Sequence, residues 1–140
     1  MLQEEKCRAL IGDCPVGSTL LIKEVTDSTN LDIKRAAENG AVHGLVAVAE
    51  QQTAGKGRRG RSWVSPPGEN LYFSMLLRPR FAPDEVSMLT PVMAIAVAQA
   101  ARSIGLDAKI KWPNDVVIGG KKVCGILTEL NVETDYIQYV

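Results

Sequence analysis

Residues Gly55-Lys-Gly-Arg-Arg-Gly-Arg61 gather four cations on a stretch of backbone that contains three glycines. No carboxylate stands between Glu50 and Glu69, so Lys56, Arg58, Arg59 and Arg61 concentrate positive charge. The glycines let the main chain approach a bound group closely. A polyanion is the ligand this chemistry fits. A second group, Lys111, Asn114, Asp115 and Lys122, surrounds a single expected hairpin, where strand alternation decides which side chains share a face. Lys111 and Lys122 could point at the same anion, and Asp115 could either bind Mg²⁺ or hold Lys122 in place. The third group is Ser28-Thr29-Asn30 at an expected helix start. It can cap the helix, or it can offer hydroxyl and amide groups to a polar ligand head.

Two common readings of the glycine loop fail. Gly55, Gly57 and Gly60 match the G-x-G-x-x-G dinucleotide spacing after an apparent strand, but Pro66-Pro67 forbids the helix that should follow. Arg80 stands where a ribose-binding acid is expected. A Walker A loop is excluded because no Gly-Lys is followed by Ser or Thr.

The elements that must position these groups follow from periodicity and punctuation. A short helix is expected over residues 3–11, a strand over 19–25, and a helix over 28–39 that Gly40 ends. Gly44–Glu50 leads into the basic loop as an apolar strand, and Asn70–Arg78 leads out as another. Pro83-Asp84-Glu85 starts a helix that runs to Gly105. Val86, Leu89, Val92, Met93, Ala96, Val97 and Ala100 form its expected core face, with a kink at Pro91. Strands over 108–112, 116–118 and 121–130 follow, the last two joined by a Gly119-Gly120 turn. Trp112 beside Pro113 is expected to form a wall, because an exposed indole is costly.

The length of 140 residues fits one domain, and 46% apolar residues suffice for a core. Lys+Arg and Asp+Glu number 16 each, which argues against general polycation behaviour. No run approaches the ~20 apolar residues of a membrane span, and the first residues lack a signal-peptide pattern, so no membrane partner and a cytoplasmic location are expected. Cys7, Cys14 and Cys124 fit neither a disulfide framework nor a zinc site. His43, the only histidine, reads as a turn residue rather than as the base of a triad.

Glu50–Trp63, Ser65-Pro-Pro-Gly68, Asn70-Leu-Tyr72, Lys111-Trp-Pro-Asn-Asp115 and Lys122–Leu127, with Ser28-Thr29-Asn30, resemble the catalytic domain of biotin protein ligases in unbroken order over residues 19–131. The resemblance implies an α+β fold: a mixed, largely antiparallel sheet with helices on one face, related to class II aminoacyl-tRNA synthetases. It implies that biotin and Mg·ATP form biotinyl-adenylate and pyrophosphate, and that a lysine of a biotin carboxyl carrier domain then takes the biotinyl group and releases AMP. It assigns Ser28, Thr29, Asn30, Gln52, Gly55, Arg58, Lys122 and Gly125 to biotin, and Arg58, Arg61, Trp63, Lys111, Asn114 and Asp115 to ATP. It implies catalytic roles for Arg58 and Lys122 and offers Asp115 as a ligand for Mg²⁺. The glycine-rich loop would close over the adenylate, which water destroys.

Lys56 departs from the arginine that many members carry. No helix-turn-helix segment precedes residue 19, so no DNA-binding repressor role is expected. The chain stops where the family continues, so residues 1–140 read as one incomplete catalytic domain, and an exposed C-terminal edge could promote a homodimer. Two alternatives remain: a lipoate ligase or transferase, and a single-stranded nucleic-acid module that stacks bases on Trp63, Tyr72 and Phe73. Net neutrality and 5% aromatics count against the second.

Overall fold

The computed structural model describes residues 2–134 and 136–140. One domain is expected from length; the residues group into two compact units, Met1–Pro79 with Gln138–Val140, and Arg80–Ile137. Each has its own core.

In the first unit, α1 (Glu4–Ile11), β1 (Thr19–Thr26), α2 (Thr29–Glu38), β2 (Leu45–Gln52) and β3 (Tyr72–Met75) follow one another. β1 pairs parallel to β2, with α2 as the crossover, and β3 pairs antiparallel on the other side of β2. Alternation along β2 buries Leu45, Ala47 and Ala49. Ile33 and Ala37 of α2 join Leu45, Ala47, Leu76 and Tyr139 in one apolar cluster. β3 is shorter than the expected 70–78, since only Tyr72–Met75 stands opposite β2 in register.

Arg78, just beyond β3, ties the margins of this unit together. Its guanidinium donates to the Ala37 and Ala41 carbonyls at the end of α2 and to the Gln138 carbonyl. It also lies 5.9 Å from the centre of the Tyr139 ring. Leu77 and Val140 exchange backbone hydrogen bonds at 2.9 Å beside it. A cation at carbonyls left over by a helix end is the favourable arrangement for the helix dipole.

In the second unit, a 3₁₀ segment over Pro83–Met88 runs into α3 (Leu89–Ser103), followed by β4 (Ala108–Lys111), β5 (Asp115–Ile118) and β6 (Lys121–Gly125). The three strands form an antiparallel sheet in sequence order. Gly119 and Gly120 both adopt positive φ, as the tight β5–β6 turn requires. β7 (Asn131–Glu133) and β8 (Tyr136–Tyr139) pair as a separate ribbon, so the expected strand over 121–130 ends at Gly125.

Two expectations about α3 need correction. The helix does not kink at Pro91: it changes from 3₁₀ to α at Leu89. Pro91 therefore falls in the first α turn, where a missing N–H is tolerated. The buried face matches the expected one only in part: Val86 is buried and Val97 packs against the core, but the face centres elsewhere. Ala94 and Ala98 pack with Ala108 and Val116, while Val92, Ala96 and Ala100 are exposed. Small residues at the contact with the sheet let the helix lie close, while Val92 and Ile95 fall outward. Pro83–Ser103 is long and apolar enough to cross a membrane by length and composition, at a mean hydropathy of 1.2, yet it packs on the sheet through those alanines.

Leu76 is 0% exposed in the first core. Leu76→Ala is expected to cost about 2–5 kcal/mol in urea unfolding, whereas Leu10→Ala on the exposed side of α1 should stay within about 0.5 kcal/mol.

Candidate functional site

Helix α2 begins without the expected side-chain cap. Ser28 occupies the N-cap position in extended backbone and makes no capping bond with its hydroxyl, although it is buried. Instead, the Thr29 N–H donates to Oε1 of Gln52 at 2.8 Å, from the end of β2. The Thr29 hydroxyl lies 3.1 Å from the same oxygen and 2.8 Å from the Ser74 hydroxyl of β3. Ser74 in turn bonds Oδ1 of Asn30. The other end of the Gln52 amide donates to the Ser65 hydroxyl at 3.0 Å, and Ser65 donates to the Trp63 carbonyl at 3.1 Å. One polar cluster thus runs from the helix start through two strands to the basic loop.

Charges beneath the helix start hold it in place. Asp32 is buried, with the Lys23 ammonium at 2.5 Å and the Thr26 hydroxyl at 2.7 Å. Asp27 pairs with Arg35 and accepts the Ser28 N–H at 2.7 Å. The Arg35 guanidinium, then the Ser28 N–H, hold the Asp27 carboxyl well below the usual carboxylate range, and Asp27 raises Arg35 in return.

The basic loop is a narrow hairpin. Trp63 N–H donates to the Gly55 carbonyl at 2.8 Å, Gly57 N–H donates to the Arg61 carbonyl at 2.7 Å, and Lys56 opposes Ser62. Arg58–Gly60 forms a 3₁₀ turn at the tip, with Arg59 in the left-handed region at φ 58, a conformation rarely held by a non-glycine residue. Arg58 and Arg61 are exposed there. At the base, a Cβ on Gly55 would lie 2.5 Å from the Trp63 carbonyl oxygen, 2.9 Å from Ser65 Oγ and 3.1 Å from Gln52 Nε2. Only glycine fits between these groups.

In the second unit, strand register decides which side chains share a face. Lys111, Asp115 and Gly125 stand in one row across β4, β5 and β6, on the face opposite Val116 and α3. Lys109, Val117 and Lys122 form the next row, after a bulge between Val116 and Val117. Lys122 Nζ lies 2.8 Å from Asp115 Oδ1, a buried oxygen that accepts no aligned hydrogen bond among the described residues. Asn114 closes the β4–β5 turn, exchanging bonds with the Ile126 backbone at 2.9 and 3.3 Å. Burial pushes the Cys124 thiol up. The Trp112–Pro113 bond is cis, and Trp112, expected as a wall, is 74% exposed.

The first unit therefore brings together Ser28, Thr29, Asn30, Gln52, Gly55 and Trp63, with Arg58 and Arg61 on the turn above. The second brings together Lys111, Asn114, Asp115, Lys122 and Gly125. Sequence reasoning gave no roles to Ser65, Ser74 or the Lys23–Asp32 pair. Ser74 and Lys23 did carry a signal, each being a polar residue in register with a buried alanine of β2.

The profile of the biotin/lipoate A/B protein ligase family matches residues 22–139. The chain is 38% identical to the bifunctional ligase/repressor BirA of Bacillus subtilis, over 99% of this chain and 43% of that protein. It is 42% identical to the biotin–[acetyl-CoA-carboxylase] ligase of Paracoccus denitrificans, over 74% of this chain and 44% of that protein. The structure superposes on the biotin protein ligase from Aquifex aeolicus in complex with biotin and ATP with a TM-score of 0.69 at 36% identity, covering 85% of this chain and 49% of that one. The chain spans less than half the length of these relatives.

Gly55→Ala is expected to force the loop base apart. Hydrogen exchange at the Trp63 amide should accelerate at least about tenfold, as befits loss of a hydrogen bond, while the Ile33 amide inside α2 stays unchanged.

Proposed function

Because this chain belongs to the biotin/lipoate A/B protein ligase family, we propose that it carries the residues of an ATP-dependent biotin protein ligase. The biotin carboxylate attacks the α-phosphate of ATP, forming biotinyl-adenylate and releasing pyrophosphate. A lysine amine on a biotin carboxyl carrier domain then attacks the acyl carbon, forming the amide and releasing AMP. Residues 1–140 are read as part of one catalytic domain, acting in the cytoplasm.

The observation that carries this reading is the Gln52 amide, which bridges the α2 start and the base of the cationic turn. Ser28, Thr29, Asn30 and Gln52 offer hydroxyl and amide groups to the polar head of biotin, with the Gly55 backbone beside it. The Ser28 hydroxyl suits this because it is not used in capping. Arg58 and Arg61 supply planar forks for phosphate oxygens, and fixed cations stabilise the charge that builds up as the α-phosphate is attacked. Trp63 takes the adenine side. Lys111 and Asn114 take the nucleotide, and Lys122, oriented by Asp115, bridges carboxylate and α-phosphate.

Magnesium fits as an ion carried in by the phosphates. No three His, Cys, Asp or Glu side chains among the described residues converge on a metal site, and Asp115 offers one carboxylate to a cation that takes its other ligands from phosphate and water. Its chemistry is to neutralise phosphate charge.

Isothermal calorimetry with biotin, alone and with Mg²⁺ and a non-hydrolysable ATP analogue, tests the reading, with lipoate in parallel. Saturable biotin binding is expected, weakened about tenfold by Arg58→Gly or Gln52→Ala and absent for lipoate. Heat with lipoate and none with biotin would sink it.

The cationic turn should also close over the adenylate. Amides of Lys56–Arg61 are expected to exchange more slowly once biotin and ATP are added, and unchanged exchange throughout residues 53–68 would remove the lid.

A further inference from the structure

Ser65 has no assigned role, yet it sits 5% exposed where the Gln52 amide meets the base of the basic loop. The donors and acceptors around it fix the direction of every bond. The Thr29 N–H can only donate, so the oxygen end of the Gln52 amide must face it. The nitrogen end must then face Ser65, whose hydroxyl accepts from Gln52 Nε2 at 3.0 Å. The Trp63 carbonyl can only accept, so the single Ser65 proton goes there, at 3.1 Å. The result is a one-way relay: Thr29 N–H to Gln52, Gln52 to Ser65, Ser65 to Trp63.

Two further observations make Ser65 the switchpoint of this relay. Thr29 lies in the first turn of α2, ahead of the first intrahelical bond, which Asp32 N–H makes to the Ser28 carbonyl. Its N–H therefore depends on Gln52 rather than on the helix. A Cβ on Gly55 would lie within 3.1 Å of Ser65 Oγ, Gln52 Nε2 and the Trp63 carbonyl oxygen at once, so glycine at this position is what lets the three groups of the relay meet.

We propose that Ser65 is a positioning residue: it orients the Gln52 amide and so couples the biotin-binding end of the first unit to the base of the phosphate-binding turn. Without the Ser65 hydroxyl, the nitrogen end of Gln52 has lost its acceptor, and the amide is free to rotate. Thr29, 23 residues before Gln52 and 36 before Ser65 in sequence, then loses its acceptor. The coupling to biotin rests on the proposed function, but the orientation of Gln52 does not.

Hydrogen exchange on the free chain tests the orientation. In Ser65→Ala, the Thr29 amide is expected to exchange at least about fivefold faster, while the Ala47 and Leu76 amides are unchanged, and Ser65→Thr, which keeps the hydroxyl, restores protection. Unchanged Thr29 exchange would overturn the proposal. So would equal acceleration at Ala47 and Leu76, because that is general loosening.

Biotin calorimetry on the unchanged chain, Gln52→Ala, Ser65→Ala and the double variant reads the coupling. Each single variant should bind about tenfold more weakly, and the double variant no more weakly than Gln52→Ala alone. Fully additive losses would overturn the coupling. An unchanged chain that binds no biotin, with Thr29 exchange accelerated in Ser65→Ala, would instead overturn the function proposed above and leave the Ser65 orientation standing.

Discussion

The first unit depends on satisfying one buried backbone group. Thr29 is the first residue of α2, where neither the helix nor a side chain at Ser28 accepts its N–H, so that group must find an acceptor elsewhere. Gln52 supplies it from β2. This makes the helix start, the strand end and the loop base mutually dependent, since moving any one of them leaves a buried donor or acceptor without its partner. The core can be assembled from ordinary apolar contacts, but this arrangement of polar groups requires specific residues in specific places.

Charge is distributed by the same logic. The acids near the α2 start are matched at once, Asp32 by Lys23 and Asp27 by Arg35, and in the second unit Asp115 is matched by Lys122. Asp27 and Asp32 are thus held by Arg35 and Lys23, away from the cations of the basic turn. The chain is neutral as a whole, yet cations concentrate on a turn whose only nearby acids in sequence are Glu50 and Glu69, one before and one after the loop. Local concentration, not net charge, gives that turn its positive field.

Most of the elements were legible because their signals are local. Alternation in β2, the helix punctuation around Thr29–Glu38 and the Gly119-Gly120 turn all act within a few residues. The mixed, mostly antiparallel α+β architecture with a helix packed on each three-stranded sheet agrees with the resemblance, and the structural match to a biotin protein ligase supports it. The misreadings came from long-range effects. The face of α3 was assigned from helical spacing alone, but close packing on the sheet selected Ala94 and Ala98. Trp112 was expected to seek cover and is exposed. Ser65 was invisible as a partner of Gln52, because a hydrogen bond between residues 13 apart leaves no periodic trace.

The Arg78 latch has a consequence for how the chain acquires its structure. Its guanidinium joins the end of α2 to Gln138, and Leu77 pairs with Val140. The first compact unit is therefore interrupted in sequence by the whole of the second. Made from the N-terminus, such a chain has most of its first unit available early but cannot finish it until every residue of the second has been added. Closure across so long a loop is slow relative to local folding, and Tyr139 fills its place in the apolar cluster only then. A nascent chain would wait with that margin of its core open, a window in which a chaperone or a neighbouring chain has access that the finished protein denies.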